Sequence, residues 1–76
     1  MIDTASLISL VQIGIPDARV DAFDYSGTMD HFNLTVRSQA FVGRSLIEQH
    51  QLVYAALKDA LKDGRVHAVQ IKTLPE

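Results

Sequence analysis

The sequence of 76 residues contains no cysteine, no tryptophan, two prolines and four glycines. Without cysteine, the chain can form neither a disulfide framework nor a thiolate metal site of its own. No apolar run reaches the roughly 18 residues that a membrane-spanning helix needs. The N-terminal stretch lacks basic residues and carries Asp3, so it does not resemble a secretory signal. These absences predict a soluble, cytoplasmic protein with no membrane partner.

The chain also lacks a large excess of positive or negative charge. The net charge is −2 at pH 7 and the isoelectric point is near 5.8, which gives no overall basic footprint for nucleic acid. The composition, 47% hydrophobic and 21% charged, is that of a folded protein. No linker or repeat divides the chain, so we expect one domain spanning residues 1–76. No nucleophile–base set, phosphate loop or dinucleotide fingerprint is present, so we do not expect an enzyme.

The second half of the chain predicts a turn, a long helix and a final strand. Ser45 and Glu48 have the spacing of a capping box, which predicts where the helix begins. Asp63 and Gly64 predict where it ends, because glycine tolerates the left-handed conformation that closes helices. Helical spacing predicts an apolar stripe facing the core. Its members are Leu46, His50, Val53, Tyr54, Leu57 and Leu61.

The first half predicts a short helix followed by a β-hairpin. The helix covers residues 4–13, with Asp3 or Thr4 as its N-cap and Gly14 as its stop. Alternating patterns predict strands at 18–24 and 31–38, joined by a turn at 25–30. A last strand is expected at 66–73, with residues 74–76 as a loose end. The fold class is therefore α+β, a two-layer α-β-β-α-β sandwich.

Four separated segments resemble the BolA family in order and spacing. They are Asp30-His31-Phe32, Phe41-Val42-Gly43, Gln49 to Tyr54, and Val66-His67-Ala68. The missing cysteine and the His-Phe pair are similar to the family's bacterial IbaG-like branch. The resemblance implies a BolA-like fold, similar to that of class II KH domains.

The same resemblance implies a partner and a cofactor. BolA-like domains bind monothiol glutaredoxins that carry a CGFS motif, and the pair shares a [2Fe-2S] cluster. The glutaredoxin cysteine and glutathione supply sulfur ligands, so the cofactor exists only in the complex. The implied roles are iron–sulfur trafficking, iron homeostasis and stress response. The BolA-like partner supplies a histidine near the start of its last strand, which here is His67, and a second histidine or cysteine from the loop between its first strands.

The three histidines have different expected roles. His67 is expected to bind the cluster and serve as a metal ligand. Where the family has the loop cysteine or histidine, this sequence has Thr28 and Met29, so His31 at the loop's end is the candidate second ligand. An exposed strand histidine is the alternative for His31. His50 lies within the helical stripe and is expected to pack in the core or between the helices, with one ring nitrogen hydrogen-bonded internally.

A KH-like nucleic-acid-binding transcriptional regulator is the alternative function. Arg37, Arg44 and Arg65 could form a local basic patch, and whether they converge on one face is the discriminating observation. Against it, the turn at 41–45 has one glycine, whereas the backbone-gripping GXXG loop of KH domains needs two. A weak homodimer is also left open.

Overall fold

The computed structural model describes residues 2–25, 27 and 31–76. Its element order is the predicted α-β-β-α-β, with one short 3₁₀ turn that the sequence did not predict. The elements are α1 (Thr4–Gly14), β1 (Arg19–Asp24), β2 (His31–Ser38), the 3₁₀ turn (Gln39–Phe41), α2 (Leu46–Lys62) and β3 (Ala68–Pro75). No helix among the described residues is both long and apolar enough to cross a membrane.

The three strands form one sheet in the order β1-β2-β3, with β2 in the centre. β1 and β2 pair antiparallel, as expected for a hairpin. β2 and β3 pair parallel, which requires a long crossover connection, and the 3₁₀ turn and α2 provide it. Because β2 and β3 are parallel, their first residues lie at the same end of the sheet.

Both helices cover one face of the sheet, so the predicted two-layer arrangement is confirmed. The inward side chains of β2 are fully buried: Phe32, Leu34 and Val36. They share the core with Leu7 and Val11 of α1 and with Val53 and Leu57 of α2. The opposite face of the sheet is open, and Phe23 on it is 64% exposed.

Gly14 has a different role from the predicted helix stop. It is the last residue of α1, and Ile15 is the C-cap. A Cβ atom at position 14 would lie 2.6 Å from the Cβ of Ala56 in α2. The missing side chain therefore lets α1 approach α2 closely at this point. The predicted N-cap is confirmed, since the Asp3 carboxylate accepts a hydrogen bond from Ser6 N at 2.7 Å.

The boundaries of α2 are as predicted. Ser45 N donates to the Glu48 carboxylate at 3.0 Å and Glu48 N donates to Ser45 Oγ at 3.2 Å, so the capping box is complete. The helix ends at Lys62, and Gly64 adopts a φ of +84° two residues later.

The predicted apolar stripe of α2 was partly wrong. Val53 and Leu57 are buried, but Leu46 is 62% exposed and Tyr54 is 43% exposed. His50 and Leu61 are half-buried rather than in the core. The buried line runs instead through Gln49, Val53, Leu57 and Ala60. At about 100° per residue, Tyr54 falls to one side of that line, whereas Leu46 is in line with Val53 and Ala60 but is exposed as the first residue of the helix.

The side chain of Gln49 can be buried because both its amide nitrogen and its amide oxygen are hydrogen-bonded. Its Nε2 donates to Arg44 O at 2.9 Å and to Phe41 O at 3.4 Å, and its Oε1 accepts from Thr73 Oγ1 at 2.5 Å. A buried polar group must find partners to offset the loss of water, and here it joins three segments. The bonds fix the turn before α2 against β3.

β3 begins and ends two residues later than predicted. It starts at Ala68, directly after His67, and it continues to Pro75, which pairs with Ser38. Glu76 N then donates to Ser38 O, and the Glu76 carboxylate binds Arg19 at 2.8 Å. The prediction of a loose end at 74–76 was therefore wrong.

Candidate functional site: a histidine pair at the sheet end

The structure brings His31 and His67 together at one end of the sheet. His31 is the first residue of β2, and its register partner in β3 is Ala68, the residue after His67. The two imidazole rings have their centroids 5.2 Å apart, and their planes are inclined by 43°. The parallel pairing of β2 with β3 thus makes a pair from two residues that lie far apart in the sequence.

The two histidines differ in exposure. His67 is exposed, whereas His31 is half-buried. The Nδ1 atom of His31 is buried and has no hydrogen-bond partner among the described residues. A buried polar atom without a partner is unusual in a folded protein and calls for an explanation.

Imidazole nitrogens are good ligands for iron and zinc. Two imidazoles bound to one tetrahedral metal, with metal–nitrogen distances of about 2 Å, have ring centres roughly 5 Å apart. The observed spacing of 5.2 Å matches that arrangement. Two histidines fill two of four positions on such a metal, so the remaining donors must come from another molecule. No group of three or more histidine, cysteine, aspartate or glutamate side chains with metal-site spacing occurs in the described part of the chain.

Tyr25 is a neighbour of this pair that the sequence analysis placed only in a turn. Its ring centroid lies 6.0 Å from that of His31, with the planes inclined by 59°. Its N–H donates to His31 O at 3.2 Å, which closes the hairpin. The hairpin register was the signal that could have indicated this contact. The turn residues Ser26 and 28–30, including Thr28 and Met29, lie outside the described residues.

His50 is separate from the pair. It lies on the second turn of α2, about 18 Å along the axis from the helix end that leads to His67. The half-buried ring is in keeping with a packing role, although it is not part of the core.

The three arginines of the alternative function do not converge. Arg44 and Arg65 flank opposite ends of α2, which is about 25 Å long. Arg65 is paired with Asp63 at 2.9 Å, and Arg37 with Asp21 at 3.4 Å. Arg44 Nε donates to Ala40 O. The described residues therefore present no joint basic face made by these three side chains.

The family model for BolA-like proteins matches residues 16–76, which include the hairpin, α2, β3 and both histidines of the pair. The chain belongs to the BolA-like family. The recognition of this family from the four sequence segments is thereby confirmed.

Similar proteins come from bacteria and plants. The chain is 33% identical to protein RP812 of Rickettsia prowazekii over 73 residues, which cover 96% of this chain and 94% of that protein. It is 51% identical over 41 residues to SufE-like protein 1 of Arabidopsis thaliana, covering 54% of this chain but only 11% of that longer protein. It is 38% identical over 47 residues to the acid stress protein IbaG of Escherichia coli, covering 62% of this chain and 56% of IbaG.

Solved structures of BolA-like proteins have the same fold. A BolA homologue from Coxiella burnetii superposes with a TM-score of 0.82 at 28% identity, covering 99% of this chain and 92% of that one. The BolA domain of SufE1 from Arabidopsis thaliana superposes with a TM-score of 0.80 at 28% identity, covering 99% and 95%. The predicted α+β class is confirmed by these superpositions.

Proposed function

We propose that this BolA-like chain is an adaptor that binds a CGFS monothiol glutaredoxin and shares with it a glutathione-ligated [2Fe-2S] cluster. The observation that carries the proposal is the histidine pair, whose rings lie 5.2 Å apart at an accessible end of the sheet. The pair supplies two nitrogen donors, and the glutaredoxin cysteine and glutathione supply the sulfur donors. The chain's own part is to hold two imidazoles in place, not to catalyse a reaction.

The donor set fits the cluster. Imidazole replaces thiolate on one iron of Rieske-type [2Fe-2S] centres, where it raises the reduction potential. The spacing of His31 and His67 allows both to bind the same iron. Because cysteine is absent, this chain cannot contribute a thiolate to such a cluster, and the two imidazoles are the donors that it offers at this site.

The relatives fit a role in stress response and iron–sulfur handling. One similar protein is named an acid stress protein, and another is a plant SufE-like protein that contains the BolA domain as part of a longer chain. We place the function in the cytoplasm, because a glutathione-ligated cluster needs a pool of reduced glutathione and the cytosol maintains one.

Titration of the chain into [2Fe-2S]-loaded monothiol glutaredoxin, followed by visible circular dichroism, tests this function. The spectrum should change as the ligands of the cluster change. His67→Ala should abolish the change, whereas the control His50→Ala should retain it, with far-ultraviolet spectra showing that both variants are folded. Binding without any spectral change would reduce the chain to a plain interaction module and contradict the proposal.

A further inference from the structure

Tyr25 is built into the hairpin directly opposite His31. It follows the last residue of β1, and its N–H donates to the carbonyl oxygen of His31 at 3.2 Å. The two rings meet with centroids 6.0 Å apart and planes inclined by 59°. This tilted geometry falls within the range of about 4.5–7 Å that aromatic pairs prefer. Tyr25 nevertheless remains 44% exposed, so the contact with His31 leaves much of Tyr25 accessible to solvent.

Among the described residues, Nδ1 of His31 lacks the hydrogen bond that commonly orients a ligating histidine. A histidine that binds metal through one ring nitrogen commonly donates the other N–H to a carboxylate, a carbonyl or water. The Nδ1 atom of His31 is buried and has no such partner among the described residues. In the described part of the chain, the ring contacts that can set the direction of this imidazole are those with Tyr25 and His67.

We propose that Tyr25 is a positioning residue for His31, holding the imidazole beside His67 through the contact between the Tyr25 and His31 rings. This inference rests on the proposed function, in which His31 and His67 are the two ligands. The contact is made between the two rings, so the phenyl group of phenylalanine serves equally well. Alanine leaves His31 free to rotate away from His67.

The free chain allows a first test that does not involve a cluster. In nuclear Overhauser spectra of the folded wild type, ring protons of His31 should show contacts with Tyr25 and with His67. Tyr25→Phe should keep the His31–His67 contact, and Tyr25→Ala should lose it. Phe23→Ala is the matched control, because Phe23 is a more exposed aromatic of the same strand whose register partner is Asn33. It should leave the contact intact.

The complex allows a second test with a different readout. Tyr25→Ala should shorten the half-life of the shared cluster roughly tenfold, the lower end of what losing an outer-shell partner costs a metal site. Tyr25→Phe and Phe23→Ala should leave it unchanged. The double variant Tyr25→Ala/His31→Ala should lose the cluster no faster than His31→Ala alone, because Tyr25 acts through His31.

A His31–His67 contact that survives in Tyr25→Ala would overturn the proposal. Additive effects of Tyr25→Ala and His31→Ala on the half-life of the cluster would overturn it as well. Failure of the proposed function has a different signature. In that case the wild-type chain leaves the spectrum of loaded glutaredoxin unchanged. The contacts in the free chain then still decide whether Tyr25 positions His31.

Discussion

The imidazole rings of His31 and His67 lie 5.2 Å apart although the whole of α2 separates the two residues in sequence. The contact exists because β2 and β3 are parallel and adjacent, so that both histidines come to the same end of the sheet. The α2 crossover that makes the parallel pairing possible is thus also what creates the pair.

The close contact of Gly14 with Ala56 should not tolerate a methyl group. Gly14→Ala places a Cβ atom 2.6 Å from the Cβ of Ala56, and overpacking of this kind costs about 1–3 kcal/mol. Alanine's advantage over glycine within a helix, about 1 kcal/mol, offsets only part of that cost. Urea unfolding should show a lower free energy of unfolding for Gly14→Ala. Adding Ala56→Gly should recover part of the loss, and a Gly14→Ala variant more stable than wild type would disprove the close approach.

The hydrogen bonds of the buried Gln49 side chain, including the one with Thr73, should contribute to the stability of the fold. Gln49→Leu leaves Thr73 Oγ1 and Arg44 O without this partner, whereas Phe41 O keeps the hydrogen bond that Arg44 N donates, and an unsatisfied buried group costs about 1–3 kcal/mol. Gln51→Leu, at an exposed position of the same helix, is the control. Equal unfolding midpoints for the two variants would contradict this account. The double variant Gln49→Leu/Thr73→Val should be less destabilised than the sum of the single changes.

Asp17 should make stability depend on pH in the acid range. Its carboxylate accepts hydrogen bonds from Ser38 Oγ and from Gln39 N, and these bonds hold the pKa of Asp17 below its ordinary value of 3.8. Because the folded-state pKa is the lower one, the unfolded chain binds more protons in acid. The stabilisation is therefore complete above the ordinary value and is lost as the pH falls through the folded one.

Thermal unfolding between pH 7 and pH 3 measures this contribution. Asp17→Asn should unfold at a lower temperature at neutral pH and show a shallower decline in acid than the wild type. Asp59→Asn, which removes an exposed carboxylate on α2, should leave the decline unchanged. Parallel curves for wild type and Asp17→Asn would show that Asp17 does not carry the effect.

The sequence predicted local structure well where the signals are local. The Ser45–Glu48 capping box, the Gly64 stop and the alternation of Phe32, Leu34 and Val36 each depend on neighbouring residues, and each appears as expected. Periodicity failed for Tyr54 because a broad apolar arc does not reveal which side of it meets the sheet. It failed for Leu46 because periodicity does not reveal that the first residue of the helix lies beyond the buried stretch. Gln49 was not expected in the core, since its burial depends on partners from distant segments.

The candidate site could be predicted only in part. His67 and His31 were selected through the family resemblance, but their proximity depends on the parallel register of β2 and β3, which no local pattern specifies. Gly14 was predicted to stop the helix, because a glycine shortly before a proline is typical of a helix end. Its close contact with Ala56 depends on the packing of α1 against α2, which this local pattern does not indicate. Tyr25 was not singled out, because its contact with His31 depends on the hairpin register.

Pulsed electron paramagnetic resonance on the reduced complex is the most direct test of the central claim. The shared cluster is prepared with this chain carrying either ordinary histidine or ¹⁵N-histidine, while the glutaredoxin is left unlabelled. We predict strong nitrogen couplings that change with the isotope, one set of which disappears in His31→Ala and the other in His67→Ala. Spectra with no isotope-dependent coupling would show that neither imidazole is bound to iron and would contradict the account.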